Sequence, residues 1–157
     1  MKKRSVLFVC LGNICRSPAG EGVLLHMLAQ SDRSDQIEVD SAGTMGYHIG
    51  NPADARMRAA ASKRKIMLPS RARQVSKRDL ERFDLVIAMD RENLADLQRL
   101  HATPSARVCL FSEFLDESWP TDVPDPYYGG DDGFEYVLDM MQEGCPKIID
   151  ALLKTNG

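Results

Sequence analysis

The sequence lacks any long apolar run, so it offers no candidate for a membrane-spanning helix. Such a helix needs about 20 consecutive apolar residues, and no stretch of this 157-residue chain approaches that length. The opening residues MKKR and the apolar segment after them imitate a signal peptide. That segment is too short and is not followed by a small-residue cleavage pattern. We therefore expect a cytoplasmic protein with no membrane partner.

Charge of either sign is not in large excess. Lys and Arg number 20 against 23 Asp and Glu, a formal net charge of −3. A nucleic-acid-binding domain usually carries a basic field, so we expect no nucleic-acid partner. The basic run at residues 63–65 is typical of a solvated surface. Any anion-binding site must therefore be local.

Cysteine is also scarce, with four residues in the chain: Cys10, Cys15, Cys109 and Cys145. A chain long enough to bury a sizeable core does not need disulfides for stability. We therefore expect reduced thiols in a reducing compartment. Cys10 and Cys15 also lack the paired His or Cys spacing of a zinc site, so we predict no metal ligands and no cofactor.

Short apolar runs alternate with helical patterns along the chain. The runs at residues 5–10, 37–41, 85–89 and 107–111 suit strands that are covered on both faces. Helical spacing lies between them at residues 18–30, 54–65 and 91–100, with a short helix after Ser76. This alternation predicts an α/β fold in which one domain, residues 1–157, contains a four-stranded parallel sheet with helices on both faces.

The last part of the chain predicts a long loop followed by a helix. Residues 116–132 show no periodicity, and loops of that length in compact domains are usually functional or disordered. Apolar residues then recur at helical spacing from Phe134 to Leu152, so we expect a helix that begins near Gly133. Pro146 should interrupt this helix and produce a kink at residues 142–146.

The segment VCLGNICRSP at residues 9–18 ends the first strand and opens the first helix. In this position several backbone N–H groups point at one spot, and the helix dipole attracts an oxyanion there. Gly12 allows an unusual backbone angle, and Pro18 suits the start of a helix. The lysine of nucleotide-binding loops is absent. The segment therefore predicts a phosphate-binding loop after strand 1.

Cys10 and Arg16 flank this loop with five residues between them. The helix dipole, the loop amides and the Ser17 hydroxyl favour the thiolate of Cys10, which is the nucleophilic form. Arg16 is planar and forked, so it can bind two phosphoryl oxygens at once. A non-catalytic phosphate-binding or redox-sensing module would use the same loop, but it would need no acid.

Transfer of a phosphoryl group to a thiolate also needs an acid that protonates the leaving oxygen. The long loop offers several carboxyls for this role: Asp122, Asp125, Asp131 and Asp132. We favour Asp125, because a rigid proline, two tyrosines and two glycines follow it. Its presence favours an enzyme over a non-catalytic module.

These residues resemble the low-molecular-weight protein tyrosine phosphatases. The likeness spans essentially the whole chain and rests on residues 9–18, DSAGT at 40–44, RQ at 73–74, AMD at 88–90 and DPYYG at 125–129. The resemblance implies a double displacement without metal, in which Cys10 is the nucleophile, Arg16 binds the phosphate, and Asp125 acts first as acid and then as base. It also implies tyrosine-phosphorylated proteins or peptides as partners, and a monomer or weak homodimer.

The resemblance further implies which residues surround the substrate. The phosphate would be bound by the loop residues Leu11, Gly12, Asn13, Ile14, Cys15 and Ser17, and the aromatic ring would be enclosed by Tyr47, Tyr127 and Tyr128. Asn13 would hold a left-handed backbone and bond to Ser41. Ile14 stands where a phosphoarginine-hydrolysing branch has threonine, which favours phosphotyrosine.

Two departures from the family pattern predict local weakness. Ser70 aligns with a histidine that supports the loop, which predicts a less rigid loop. Gly20 and Gly22 stand where the family tends to have alanine. Each of these glycines should weaken the first helix by about 0.5–1 kcal/mol.

Cys15 predicts redox control. An accessible thiolate such as Cys10 is readily oxidised, and a second thiol can capture the resulting sulfenic acid as a disulfide. A loop that curls around a phosphate brings Cys10 and Cys15 near each other. Simple packing of Cys15 is the alternative, and the resemblance favours the redox role.

Overall fold

Four parallel strands form the centre of the fold. The computed structural model describes residues 3–154. The strands are β1 (Arg4–Cys10), β2 (Ile37–Gly43), β3 (Leu85–Ala88) and β4 (Arg107–Leu110). They pair in parallel in the order β2-β1-β3-β4, which confirms the predicted sheet. The carboxyl end of β1 therefore lies where the strand order changes direction, the position at which open α/β sheets bind ligands.

Helices cover both faces of the sheet, as predicted. They are α1 (Arg16–Gln30), α2 (Ala55–Lys63), α3 (Asp79–Arg82), α4 (Arg91–Leu100) and α5 (Asp131–Leu153), and a 3₁₀ turn at Phe111–Phe114 follows β4. Side chains alternate along β1, so that Val6 and Phe8 join a core cluster with α1 and α5. Leu7 and Val9 join the opposite cluster, with α3 and α4. Within residues 3–154, no helix is long and apolar enough to cross a membrane.

The last helix begins at Asp131, near the predicted Gly133, but it continues without interruption through Pro146 to Leu153. The predicted interruption is therefore wrong, while the kink stays a prediction. Proline leaves the carbonyl one turn earlier without its helical donor. Both Pro146 and Gln142 are exposed, so water can hydrogen-bond that carbonyl and the helix tolerates the proline.

Gly20 and Gly22 let α1 pack closely on its neighbours. A Cβ at Gly20 would lie 2.7 Å from Phe8 Cδ1, and a Cβ at Gly22 would lie 2.3 Å from Leu68 Cδ2 and 2.8 Å from Met67 O. Overpacking of a core typically costs about 1–3 kcal/mol, more than the helix propensity that alanine would restore. Close packing therefore explains both glycines. The expectation of local weakness included the lower helix propensity of glycine but not the clash that a larger side chain would cause.

We expect Gly22→Ala to lower the free energy of unfolding by about 1–3 kcal/mol, because the added methyl group meets a backbone carbonyl as well as a side chain. Urea unfolding of both proteins at neutral pH measures the difference. Gly130→Ala is the control, since a Cβ there has open space, and it should change stability by less than about 1 kcal/mol. A more stable Gly22→Ala protein would contradict the packing argument.

Candidate active site

The predicted phosphate-binding loop forms a tight turn at the carboxyl end of β1. Cys10 ends β1, and Arg16 begins α1. Three carbonyl groups of the turn accept hydrogen bonds from segments outside it. Cys10 O accepts from Thr44 N–H at 2.9 Å, and Leu11 O accepts from Met45 N–H at 2.9 Å. Ile14 O accepts from Asp54 N–H at 2.8 Å. Because these carbonyls face outwards, N–H groups of the turn can face its centre, which is the arrangement that binds an oxyanion.

Asn13 sets the shape of this turn. Its φ of 58° is left-handed, a conformation that asparagine tolerates better than most side chains. Its amide nitrogen donates to Ser17 Oγ at 2.8 Å and to Ser41 Oγ at 3.0 Å. Its amide oxygen accepts from the Arg73 backbone N–H at 3.0 Å. Since Asn13, Ser17 and Ser41 are buried, water does not compete for these bonds.

Cys10 lies at the base of the turn and is only 2% exposed. Its sulfur is 3.0 Å from Ser17 Oγ. Because Asn13 donates to the same hydroxyl, the Ser17 proton is free to be donated to a Cys10 thiolate. The turn therefore provides a hydrogen-bond partner for a negative charge on the sulfur.

Arg16 is the buried cation of the site, at 2% exposed. Its Nη1 donates to Asp90 Oδ2 at 2.5 Å and to Val123 O at 3.0 Å, and its Nη2 lies 3.7 Å from Asp125 Oδ2. Burial by itself would lower the pKa of Arg16, but the negative charges of Cys10 and Asp90 outweigh burial and raise the pKa. Sequence reasoning missed the contact with Asp90, although an acid directly after a buried strand was the available signal.

Asp125 is the candidate acid that lines the pocket together with Cys10 and Arg16. It belongs to a segment that we call the acid loop, residues 122–130. Its carboxyl accepts from the Tyr127 N–H at 3.1 Å. Asp122 is bound instead to Arg91, whose hydrogen bonds lower the pKa of that carboxyl. The two later candidates lie in the first turn of α5: Asp131 and Asp132.

Aromatic residues form the wall of the pocket where the resemblance implied them. Tyr47 and Tyr128 are 80% and 91% exposed, and the ring centroid of Tyr127 is 4.9 Å from that of Tyr128. His48, which sequence reasoning missed, also lines the pocket, with its ring centroid 6.3 Å from Tyr127. Gly12 leaves room for it, because a Cβ there would lie 3.0 Å from His48 Cδ2. A single histidine in a loop gave no signal.

Cys15 also lines the pocket and is 3% exposed. Burial, followed by the Asp54 carboxylate and the Cys10 thiolate, raises the pKa of Cys15 well above its ordinary value. Cys15 is therefore a protonated thiol at neutral pH. The remaining cysteines, Cys109 and Cys145, are core residues, and burial raises the pKa of Cys109 to about 11.

Glu21 supports the turn from behind, and sequence reasoning missed it. Its carboxylate is 5% exposed and accepts from Ser41 Oγ at 2.6 Å. Burial raises the pKa of Glu21, while hydrogen bonds from Ser41 and Ser70 oppose that shift. Ser70, expected to leave the loop less rigid, thus bonds to the same carboxylate as Ser41. The available signal was helical spacing, because Glu21 follows Ser17 by one turn of α1.

Known proteins are similar to this chain over nearly its whole length. A model of the low molecular weight phosphotyrosine protein phosphatase family matches residues 5–156. The human low molecular weight phosphotyrosine protein phosphatase is 39% identical over 150 residues, which is 94% of each chain. The low molecular weight protein-tyrosine-phosphatase YfkJ of Bacillus subtilis is 39% identical over 152 residues, which is 96% of each chain.

Solved structures of protein tyrosine phosphatases share the fold of this chain. The crystal structure of YfkJ superposes with a TM-score of 0.92 at 36% identity, covering 100% of this chain and 99% of YfkJ. A protein tyrosine phosphatase from Entamoeba histolytica superposes with a TM-score of 0.91 at 37% identity, covering 99% and 100%. The family match at residues 5–156 covers the segments that contain the turn, Arg16 and the acid loop. The chain belongs to the low molecular weight phosphotyrosine protein phosphatase family.

Proposed function

We propose that this chain hydrolyses phosphotyrosine on proteins or peptides, with Cys10 as nucleophile, Arg16 as phosphate-binding cation and Asp125 as general acid and base. One observation carries the proposal. A buried thiol at the base of an anion-binding turn shares a pocket with a buried arginine and a partly exposed carboxyl. Family membership supports the same reaction.

In the first step, the Cys10 thiolate attacks phosphorus, so that an S–P bond forms and the P–O bond to tyrosine breaks. N–H groups of residues 11–16 bind phosphoryl oxygens. Because Nη1 of Arg16 is bonded to Asp90 and Val123, the edge with Nε and Nη2 binds two phosphoryl oxygens. Asp125 gives its proton to the leaving tyrosine oxygen.

In the second step, water attacks the phosphocysteine. Asp125 takes a proton from this water, the S–P bond breaks, and inorganic phosphate leaves. Ser17, 3.0 Å from the Cys10 sulfur, stabilises the thiolate that is released. The enzyme then returns to its starting protonation state.

The depth of the pocket supports tyrosine as the phosphorylated side chain. Cys10 is 2% exposed at the base, whereas Tyr47 and Tyr128 stand 80% and 91% exposed at the rim. The short side chain of phosphoserine cannot bring its phosphorus to that base while its peptide stays outside. We place the enzyme in the cytoplasm, acting on tyrosine-phosphorylated proteins as a monomer or weak homodimer.

Replacing Asp125 with asparagine should lower kcat/KM for phosphotyrosine by about 10²–10⁴, because the leaving oxygen loses its acid. The loss should be smaller for dinitrophenyl phosphate, whose leaving group needs no proton. Steady-state kinetics with both substrates test this. Asp122→Asn is the matched control, and a large loss there with little loss in Asp125→Asn would move the acid to Asp122.

We also propose that Cys15 protects Cys10 during oxidation. Peroxide would convert the Cys10 thiolate to a sulfenic acid. The Cys15 sulfur would then attack the Cys10 sulfur, and its proton would leave with the sulfenic oxygen as water, which gives a disulfide. Cys10 and Cys15 both line the same pocket, whereas Cys109 and Cys145 are not among its lining residues, which supports this pairing.

Peroxide should therefore inactivate the protein reversibly, and dithiothreitol should restore activity because the disulfide is reducible. Cys15→Ser should lose activity permanently under the same treatment, since its Cys10 oxidises further. Cys109→Ser serves as the control and should recover like the unmodified chain. Equal recovery of Cys15→Ser would assign Cys15 to packing alone.

A further inference from the structure

We propose that Arg56 is a positioning residue that fixes the acid loop, and with it Asp125, to the phosphate-binding turn. The inference rests on the proposed role of Asp125 as the acid. Arg56 lies in the first turn of α2 and is an exposed residue. An exposed ion pair by itself contributes little to stability, so the role of Arg56 depends on the two segments that its side chain connects.

One end of the connection is the acid loop. Arg56 Nη2 donates to Tyr127 O at 3.0 Å. Its guanidinium carbon lies 5.4 Å from the ring centroid of Tyr127 and 4.8 Å from that of Phe134 in α5, within the usual range of cation–π contacts. The N–H of the same Tyr127 donates to Asp125 Oδ1 at 3.1 Å. Arg56 therefore holds the residue that orients the Asp125 carboxyl.

The other end is the phosphate-binding turn. Arg56 Nε and Nη2 donate to Asp54 Oδ1 and Oδ2 at 3.1 and 3.0 Å, a forked contact. Asp54 in turn donates its backbone N–H to Ile14 O at 2.8 Å. Burial would raise the pKa of Asp54, but the hydrogen bonds from Arg56 lower it overall. Asp54 thus stays an anion and keeps the guanidinium in one orientation.

Asp125 lies between two such attachments. On its N-terminal side, the Val123 N–H donates to Met89 O at 2.9 Å, and Val123 O accepts from Arg16 at 3.0 Å. On its C-terminal side, Arg56 holds Tyr127. A general acid must stay within hydrogen-bond reach of the leaving oxygen, and a displacement of about 1 Å can cost a factor of about 10² in rate. Loss of the second attachment should therefore impair proton donation specifically.

The test compares Arg56→Ala with the unmodified chain on phosphotyrosine and on dinitrophenyl phosphate. We measure kcat/KM, because it reports steps up to transfer of phosphorus to Cys10. The expected loss is about 10- to 100-fold for phosphotyrosine and under about threefold for dinitrophenyl phosphate. Arg56→Lys keeps the charge but cannot make the forked contact with Asp54. It should therefore lower kcat/KM more for phosphotyrosine than for dinitrophenyl phosphate, with a smaller loss than Arg56→Ala.

Arg64→Ala is the matched control. Arg64 directly follows α2 and, like Arg56, makes ion pairs to acidic residues, here Glu135 and Asp139 of α5, without a contact to the acid loop among its described bonds. This substitution should leave both kcat/KM values unchanged. Thermal unfolding of each variant identifies a folding defect, and Arg56→Lys answers the question if Arg56→Ala does not fold. Equal losses on both substrates, or no loss on either, would overturn the proposal.

A double variant separates this proposal from the proposed function. With Asp125→Asn already present, Arg56→Ala should cause no further loss on phosphotyrosine, because there is no acid left to position. An additional loss as large as in the single variant would overturn the positioning role. If Asp125→Asn lowers kcat/KM by the same factor on both substrates, Asp125 is not the general acid. The proposed role of Arg56 would then be wrong as well.

Discussion

The catalytic groups depend on a backbone turn that the Asn13 side chain holds in place. A left-handed residue other than glycine costs roughly 1–3 kcal/mol, and it persists only where its surroundings over-determine it. Here the Asn13 side chain donates to Ser17 of α1 and to Ser41 of β2, and it accepts from the backbone N–H of Arg73. The same Ser17 hydroxyl faces the Cys10 sulfur. The bonds that shape the turn therefore also prepare the nucleophile.

Charge around Arg16 is arranged before a substrate arrives. A buried cation is costly unless it is paired, and Asp90 supplies that pair at 2.5 Å on one edge of the guanidinium. Its other terminal nitrogen, Nη2, lies 3.7 Å from Asp125 Oδ2, and Arg16 lines the pocket together with Cys10 and Asp125. Because Asp90 also caps α4 by accepting from the Asn93 N–H, the arginine is fixed to the scaffold. Such preorganisation spares the enzyme a rearrangement during phosphoryl transfer.

Local sequence predicted the features that depend on neighbouring residues. The four strands follow from apolar runs, the turn after β1 follows from one contiguous motif, and the acid loop follows from a stretch without periodicity. Contacts between distant residues gave no comparable signal: Arg16 and Asp90 are 74 residues apart, and Arg56 and Tyr127 are 71 apart. Pro146 and Gly22 also depend on tertiary structure that local sequence does not reveal. Pro146 is tolerated because it is exposed to solvent, and Gly22 is required because its neighbours pack closely.

The proposed reaction passes through a covalent bond between the phosphoryl group and the Cys10 sulfur. Turnover of an aryl phosphate can be stopped in alkali within milliseconds, and peptides of the protein can then be fragmented in a mass spectrometer. With dinitrophenyl phosphate, whose leaving group needs no acid, phosphate should appear on the Cys10 sulfur, at a level that rises in Asp125→Asn because that variant lacks the base for hydrolysis. Phosphate on Cys15 or on another side chain, with Cys10 unmodified in every sample, would contradict the proposed reaction.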